Sequence, residues 1–174
     1  FKVCQTITRI PDIPAPVDED TTTGEKFRSP VASALWLSRC IRPDLLRAVG
    51  VFASCIGHWS EAHSKAFHSF MGFIKYSQTM KLEFICKRTK DPEFRIQAHC
   101  DASLQEPRSI SGVFAYLVDV RNPETFVPLM WQSKRQAIAT ASSTAAEFLA
   151  AGVAAGIVLR LDQTAKQIGL VKQD

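Results

Sequence analysis

The residues WQSKRQ at 131–136, followed by SSTAAEF at 142–148, decide the fold of the second half of this chain. Trp131 to Ser133 end an alternating stretch that predicts a strand over 125–133. Ser142 or Ser143 is a suitable N-cap, because a serine hydroxyl accepts a hydrogen bond from a free N–H in the first helical turn. The pattern predicts a strand, a basic turn and a helix reaching about Ile168, with Gly169 as its C′ residue.

Upstream of this segment, apolar and polar residues alternate with a period of two, as expected for half-buried strands. The alternation predicts strands over 80–86, 94–101, 110–120 and 125–133. Asp91-Pro92 and Arg121–Glu124 have turn composition, and Pro128 marks a bulge or an edge. Strands followed by one long helix predict an α/β (α+β) domain over 80–174, in which an antiparallel three-strand opening packs on that helix.

The first half of the chain has a helical period instead. Apolar residues recur at helical spacing from Lys26 to Arg39, and Pro43 suits the first position of a second helix, where its missing N–H costs nothing. Ser60 with Glu61 predicts the start of a third helix. We therefore expect a helical extension over 25–79. Residues 1–24, with three prolines and an acidic run, predict a linker or tether.

Composition places the chain among ordinary soluble proteins. Its 174 residues are 46% hydrophobic and 22% charged, and no apolar run suggests a membrane span. The net charge of +4 permits a polyanionic partner such as RNA without requiring one. The first residue is Phe1, which indicates a processed chain or a fragment. Compartment and host cannot be deduced from the sequence.

The cysteines and histidines lack the spacing of a zinc site. Five cysteines form no CxxC pair, and four lie in apolar segments, which predicts buried thiols in a reducing intracellular compartment, with an organelle as one option. His63 and His68 are five residues apart, a poor spacing for sharing one face of a helix. Solvated or packing histidines are the expectation.

Two acids stand where carboxylates can converge. Asp101 ends a predicted strand, and Glu147 lies one turn into the long helix. Because Mg²⁺ prefers oxygen ligands, the pair is a candidate metal site, although exposed acids are common and the pattern alone is not specific. Lys134 and Arg135 lie between strand and helix, where they are either phosphate contacts or an exposed basic turn.

These motifs, in this order, resemble the Pol polyprotein of Ty1/copia-type retrotransposons, at the end of reverse transcriptase and the start of RNase H. The segment FRSPVASALWLSRCIRPD at 27–44 is similar to that family's "FRSLVGSLLYL…TRPDI". CDAS at 100–103 is similar to "SDADWAG", and RSISG at 108–112 to "RSTSG". WQSKRQ resembles "WKSKKQ", and STAAEF at 143–148 resembles "STTEAEY". The ordered matches span about residues 25–170.

The resemblance implies an RNase H-like fold that cuts RNA in RNA–DNA hybrids with two metal ions. Asp101 and Glu147 would be catalytic and metal-binding, with Mg²⁺ as the cofactor if the chain is active, and Lys134 and Arg135 would contact nucleic acid. The family's tryptophan after the first acid is replaced by Leu104 and Gln105. Its third acid lies beyond the helix, where only Asp174 remains.

The incomplete set of acids predicts weak or absent cleavage by this chain, whose enzymatic status is left open. The alternative is a domesticated, non-catalytic structural or RNA-binding subunit of a larger assembly with protein partners, of which an organellar assembly is one option.

Overall fold

A computed structural model describes residues 10–15, 24–87 and 90–171. The chain divides after Leu82 into a helical unit and a unit that contains the sheet. The described elements, in chain order, are α1 Glu25–Cys40, α2 Leu46–Ser54, α3 Glu61–Tyr76, β1 Phe94–Ser103, β2 Ile110–Asp119, β3 Asn122–Arg135 and α4 Ser143–Gln167, with short 3-10 turns at Pro43–Leu45 and Ile56–His58. The mixed fold with a three-stranded sheet was expected. Most of the predicted tether lies outside the described residues.

Aromatic rings form the core of the helical unit. Trp59, Phe52 and Phe70 are fully buried, and the ring of Phe27 stacks on Trp59 with centroids 4.6 Å apart. Stacked and edge-to-face pairs of this kind add to the stabilisation from burial. Gly24 precedes α1 at a point of close approach, since a Cβ there would lie 2.0 Å from the carbonyl oxygen of Ile56. A larger residue at position 24 would push α1 away from this core.

His63 is a packing residue at the start of α3. It is fully buried, and its Nδ1 accepts the backbone N–H of Ser60 at 3.0 Å, completing a capping box with the Ser60 hydroxyl. With Nδ1 as acceptor, Nε2 carries the proton and donates to the carbonyl oxygen of Pro14 at 3.2 Å. Ile10 and Ile13 pack on the same core, so part of the predicted tether is attached to the helical unit.

Arg42 joins the end of α1 to the end of α3. Its guanidinium is 6% exposed and forms a two-pronged contact with the Asp44 carboxylate at 2.9 and 2.8 Å. It also donates to the carbonyl and hydroxyl oxygens of Ser77 at 3.1 and 2.9 Å. A planar guanidinium satisfies all four acceptors at once, which an ammonium cannot do.

Replacing Arg42 with alanine is expected to lower the free energy of unfolding by about 2–4 kcal/mol, because buried acceptors lose charge-assisted donors. Urea denaturation followed by circular dichroism measures the change. Arg47→Ala, at an exposed arginine of α2, is the control and should stay within about 0.5 kcal/mol of the parent. Equal effects of the two substitutions would contradict the role of Arg42.

The sheet has the order β1-β2-β3, and both pairs are antiparallel. β2 and β3 are joined by the two residues Val120 and Arg121, so the turn is shorter and earlier than the predicted 121–124, and β3 already begins at Asn122. The predicted strand over 80–86 is wrong. Only Ile85 forms a bridge, to Phe126, because alternation alone does not supply a partner strand. The pairing of β3 with β2 is irregular near Tyr116, which lies opposite Pro128.

Aromatic side chains lie on one face of the sheet. Phe114 stacks on Trp131 with ring centroids 6.0 Å apart, and the Tyr116 hydroxyl is 2.8 Å from Nε2 of His99. Trp131 is half-buried. It therefore packs among neighbouring rings, as side chains of one face do on adjacent strands.

Helix α4 covers the other face of the sheet. The Ser142 hydroxyl accepts the N–H of Ala145 at 3.1 Å, and Gly169 has a φ of 73° just past the helix end. Both capping predictions are confirmed. Ala154 and Ile157 pack against Val113 and Ala115 of β2. The small alanine side chains bring the helix backbone close to the sheet.

Much of α4 is uncovered. By length and composition it could cross a membrane: its mean hydropathy reaches 1.6 over 18 residues, and 22% of that window is buried. One such helix is weak evidence for a membrane span, because core helices of soluble proteins have the same length and composition, and the expectation of no span is not contradicted.

The expectation of buried thiols is wrong for three of the described cysteines, since Cys55 is buried but Cys40, Cys86 and Cys100 are exposed. Each of these three lies on an outer helix face, in a loop or on an edge strand.

Candidate nucleic-acid interface

The two candidate catalytic acids are both exposed. Asp101 lies near the end of β1, opposite Gly112 of β2. Successive strand residues point to opposite faces, so alternation assigns Asp101 to the face of His99 and Tyr116, away from α4. Glu147 follows the buried Ala146 in the first turns of α4. The alternation counts against a shared ion, and the close approach of the two carboxylates stays a prediction.

A two-metal centre needs several carboxylates that converge. Within residues 10–15, 24–87 and 90–171, no group of three or more His, Cys, Asp or Glu side chains could hold a metal ion. Two exposed acids on different elements, of which alternation assigns Asp101 to the face away from α4, do not by themselves supply the ligands of two magnesium ions. Asp174, the third acid considered from the sequence, lies outside the described residues.

A groove of about 760 Å³ lies between the end of β3 and α4. Four cations line it: Arg108, Lys134, Arg135 and Arg160. Its remaining lining is polar or apolar and includes no acid: Ser111, Gln132, Gln136, Ala137, Ile138, Leu149 and Val153. The sequence-predicted Lys134 and Arg135 are thus brought together with two arginines from distant parts of the chain.

None of these four cations forms an ion pair with a carboxylate of the described residues. The cations that do form ion pairs are elsewhere, and most of them pair with an acid two to four residues away in the chain. All four are exposed. Arg108 donates to the carbonyl oxygen of Ala137 at 3.3 Å, which holds its side chain at the rim. Unneutralised positive charges around one concave surface attract anions, and phosphate is the anion that a row of cations fits best.

Gln136 fixes the floor of the groove. Its side-chain amide donates to the Ser111 hydroxyl at 2.9 Å and to the Ala146 carbonyl oxygen at 2.8 Å. The backbone N–H of Gln136 donates to the carbonyl oxygen of Ser109 at 2.8 Å. The residue therefore joins β2, the exit of β3 and the start of α4. Its Oε1 is buried and has no hydrogen-bond partner in the described part of the chain.

Sequence reasoning missed Arg108 and Arg160. Arg108 stood in the RSISG motif without an assigned role, and Arg160 is the first charged residue after the uncharged run 148–159 of α4. A cation ending such a run was a usable signal, because a long side chain at that position reaches the rim of the face that the helix buries. Their convergence on Lys134 depends on the docking of α4, which sequence patterns do not specify.

A protein of similar sequence is the secreted RxLR effector protein 161 of Plasmopara viticola, which is 28% identical over 128 residues. The match covers 71% of this chain and 82% of that protein. No family model matches the chain, and no solved structure matches it. The resemblance to retrotransposon Pol proteins therefore stays a prediction.

Changing Gln136 to glutamate tests its role in the groove. At neutral pH a buried carboxylate would face the Ala146 carbonyl oxygen in place of a donor, so we expect a loss of about 2–3 kcal/mol in the free energy of unfolding. Burial raises the pKa of the new carboxyl, and its protonated form can donate again. The loss should therefore shrink as the pH falls through that raised pKa.

Denaturant melts at pH 7 and pH 5 measure both effects. Gln163→Glu, at an exposed position of α4, is the matched control and should change stability little at either pH. Equal stability of the Gln136→Glu variant and the control at pH 7 would contradict the proposed role of the amide.

Proposed function

We propose that residues 83–171 form an RNase H-like, retroelement-type module that binds RNA or an RNA–DNA hybrid through the groove and cleaves it weakly or not at all. The carrying observation is the set of four unpaired cations around the groove between β3 and α4. The sequence motifs and the antiparallel three-strand opening with its long helix support the ancestry.

The geometry of the groove suits backbone recognition. Its cations belong to three segments, the approach to β2, the end of β3 and the middle of α4, so a bound chain would meet charge on both walls. Contacts of this type neutralise phosphates and position a strand without reading bases. The apolar side chains Ile138, Leu149 and Val153 offer a surface for sugar or base faces between the charges.

Weak cleavage follows from the acids rather than from the groove. Hydrolysis of a phosphodiester with two metals needs ligands that hold both ions while one activates water. Asp101 and Glu147 offer two carboxylates on different elements, both exposed to water, which competes for the ions. The cofactor of the ancestral reaction would be Mg²⁺.

One observation favours the second candidate, a non-catalytic subunit with protein partners. On α4, Phe148 is 74% exposed and Leu159 is 63% exposed, in a run without charge. The two residues lie about three turns apart on the same face of α4. Large exposed apolar side chains on one face mark interaction surfaces. This role is compatible with RNA binding, because the groove and these side chains occupy different parts of the helix.

The binding test uses the full chain and labelled RNA, RNA–DNA hybrid and duplex DNA in fluorescence anisotropy across a salt series. Changing Arg108, Lys134, Arg135 and Arg160 to glutamine should weaken binding at least tenfold. It should also reduce the slope of log affinity against log salt by up to about 3–4, since each lost phosphate contact removes nearly one unit.

The matched control replaces four exposed, unpaired cations of the helical unit with glutamine: Lys26, Arg39, Arg47 and Lys75. It removes the same charge, so a general effect of net charge would weaken binding equally in both variants. That result, or a parent chain that binds none of the three nucleic acids, would rule out the groove as the interface.

For cleavage, the parent is compared with Asp101→Asn and Glu147→Gln on an RNA–DNA hybrid in Mg²⁺. We expect little or no hybrid-specific cleavage by any of the three, with binding retained. Robust cleavage by the parent that both substitutions abolish would show that these carboxylates and a further acid complete a working site.

A further inference from the structure

The outer edge of β1 is the regular, unprotected edge of this sheet. Phe94 to Ser103 pair with β2 without a register shift, and no described residue pairs with the other side of β1. At β3, by contrast, Ile85 occupies part of the edge with two backbone hydrogen bonds to Phe126, and Pro128 has no N–H to offer. A ten-residue edge without proline or bulge readily accepts another strand.

The outward-facing groups of β1 can be identified. The N–H of Val120 donates to the carbonyl oxygen of Glu93, so odd-numbered residues here point their backbone groups at β2. Even-numbered residues, from Phe94 to Ala102, therefore point their N–H and C=O groups outward. A strand that pairs with this edge must be aligned so that its own unpaired N–H and C=O groups lie opposite the even-numbered residues of β1.

Helix α4 packs against β1 and β2. A shallow groove runs along β1, with Ile96 and Ala98 on one side and Ala155, Val158 and Leu159 of α4 on the other. An added strand needs apolar side chains toward the helix. A partner that also brings its own helix would cover Leu159.

The sequence of β1 is complementary to itself in one register. When two copies pair antiparallel about Ala98, even residues meet even residues, so the free backbone groups bond to each other. Arg95 then lies opposite the partner's Asp101, and by symmetry this pair occurs twice. Gln97 lies opposite the partner's His99, and Ile96 opposite the partner's Cys100.

Neighbouring registers are less favourable. A shift by two residues in one direction sets Asp101 opposite the partner's Glu93, a repulsive pair formed twice. The opposite shift sets Arg95 opposite the partner's Ser103 and Asp101 opposite the partner's Gln97, so neither charge faces an opposite charge across the strand pair, and Arg95 keeps its ion pair with Glu93 of its own chain. Opposite charges directly across a strand pair are stabilising and like charges are destabilising, so charge selects the register centred on Ala98.

We propose that the chain forms a two-fold symmetric dimer in which β1 pairs with β1 of a second copy, giving a continuous six-stranded sheet with both α4 helices on one face. The occupant of the groove is thus the second copy, whose own α4 meets Val158 and Leu159 near the two-fold axis. Such an interface is isologous and closed. It is independent of the proposed nucleic-acid groove, which lies on the β3 side of α4.

Sedimentation of the full chain from about 1 to 100 µM tests the dimer, since association depends on concentration. The parent should pass from monomer to dimer. Arg95→Asp and Asp101→Arg should each raise the dissociation constant at least about tenfold, because each turns two attractive pairs into repulsive ones. The double variant Arg95→Asp/Asp101→Arg should restore dimerisation, because opposite charges then face each other again.

Arg47→Asp, an equal charge reversal on α2, is the control and should leave the dimer unchanged. If a reversal prevents folding, as judged by circular dichroism, Arg95→Gln and Asp101→Asn replace it and should weaken the dimer less. A parent that stays monomeric overturns the proposal. So does a dimer that ignores both single reversals, or one that the double variant fails to restore.

Discussion

Small side chains on one face of α4 set the distance between the helix and the sheet, and every surface of the second unit depends on that distance. Ala146, Ala150 and Ala154 are buried along this face. With larger residues there, the helix would stand further from β1 and β2, and Gln136 could not reach the Ala146 carbonyl oxygen. The groove beside β3 and the shallow groove beside β1 lie on the two sides of α4 where it packs on the sheet.

The same contact explains why the two flanks differ in chemistry. On the β3 side, α4 presents Leu149, Val153 and Arg160 toward a strand that ends in Lys134 and Arg135. Along the shallow groove on the β1 side it presents alanine, valine and leucine, and Asp162 and Lys166 lie further along the helix, near the start of β1. One helix therefore separates a charged flank, suited to a polyanion, from an apolar flank, suited to protein. The two proposed partners would therefore not compete for the same surface of the helix.

The residues that cap helices could be predicted from the sequence, whereas contacts between residues far apart in the chain could not. Ser60 and Ser142 begin helices and Gly169 follows the end of one. Their roles depend on neighbouring residues in the chain, so all three were predicted correctly. The alternating residues over 80–86 failed because a strand also needs a partner, and β3 accepts only Ile85. Arg108 and Arg160 join Lys134 through tertiary packing, which has no local signature. The predicted pairing of Asp101 and Glu147 likewise depends on the direction of a side chain at a strand end.

The interrupted edge of β3 limits how large an assembly of these sheets can become. A sheet with two open edges can add copies without end, which is the route to ribbons and fibrils. Here Pro128, the irregular pairing beside it and the Ile85 bridge leave one side unsuited to regular pairing. Growth from β1 alone ends once that edge is occupied. In the proposed dimer the irregularity of β3 ends growth at the outer edges of the sheet, which keeps the assembly finite.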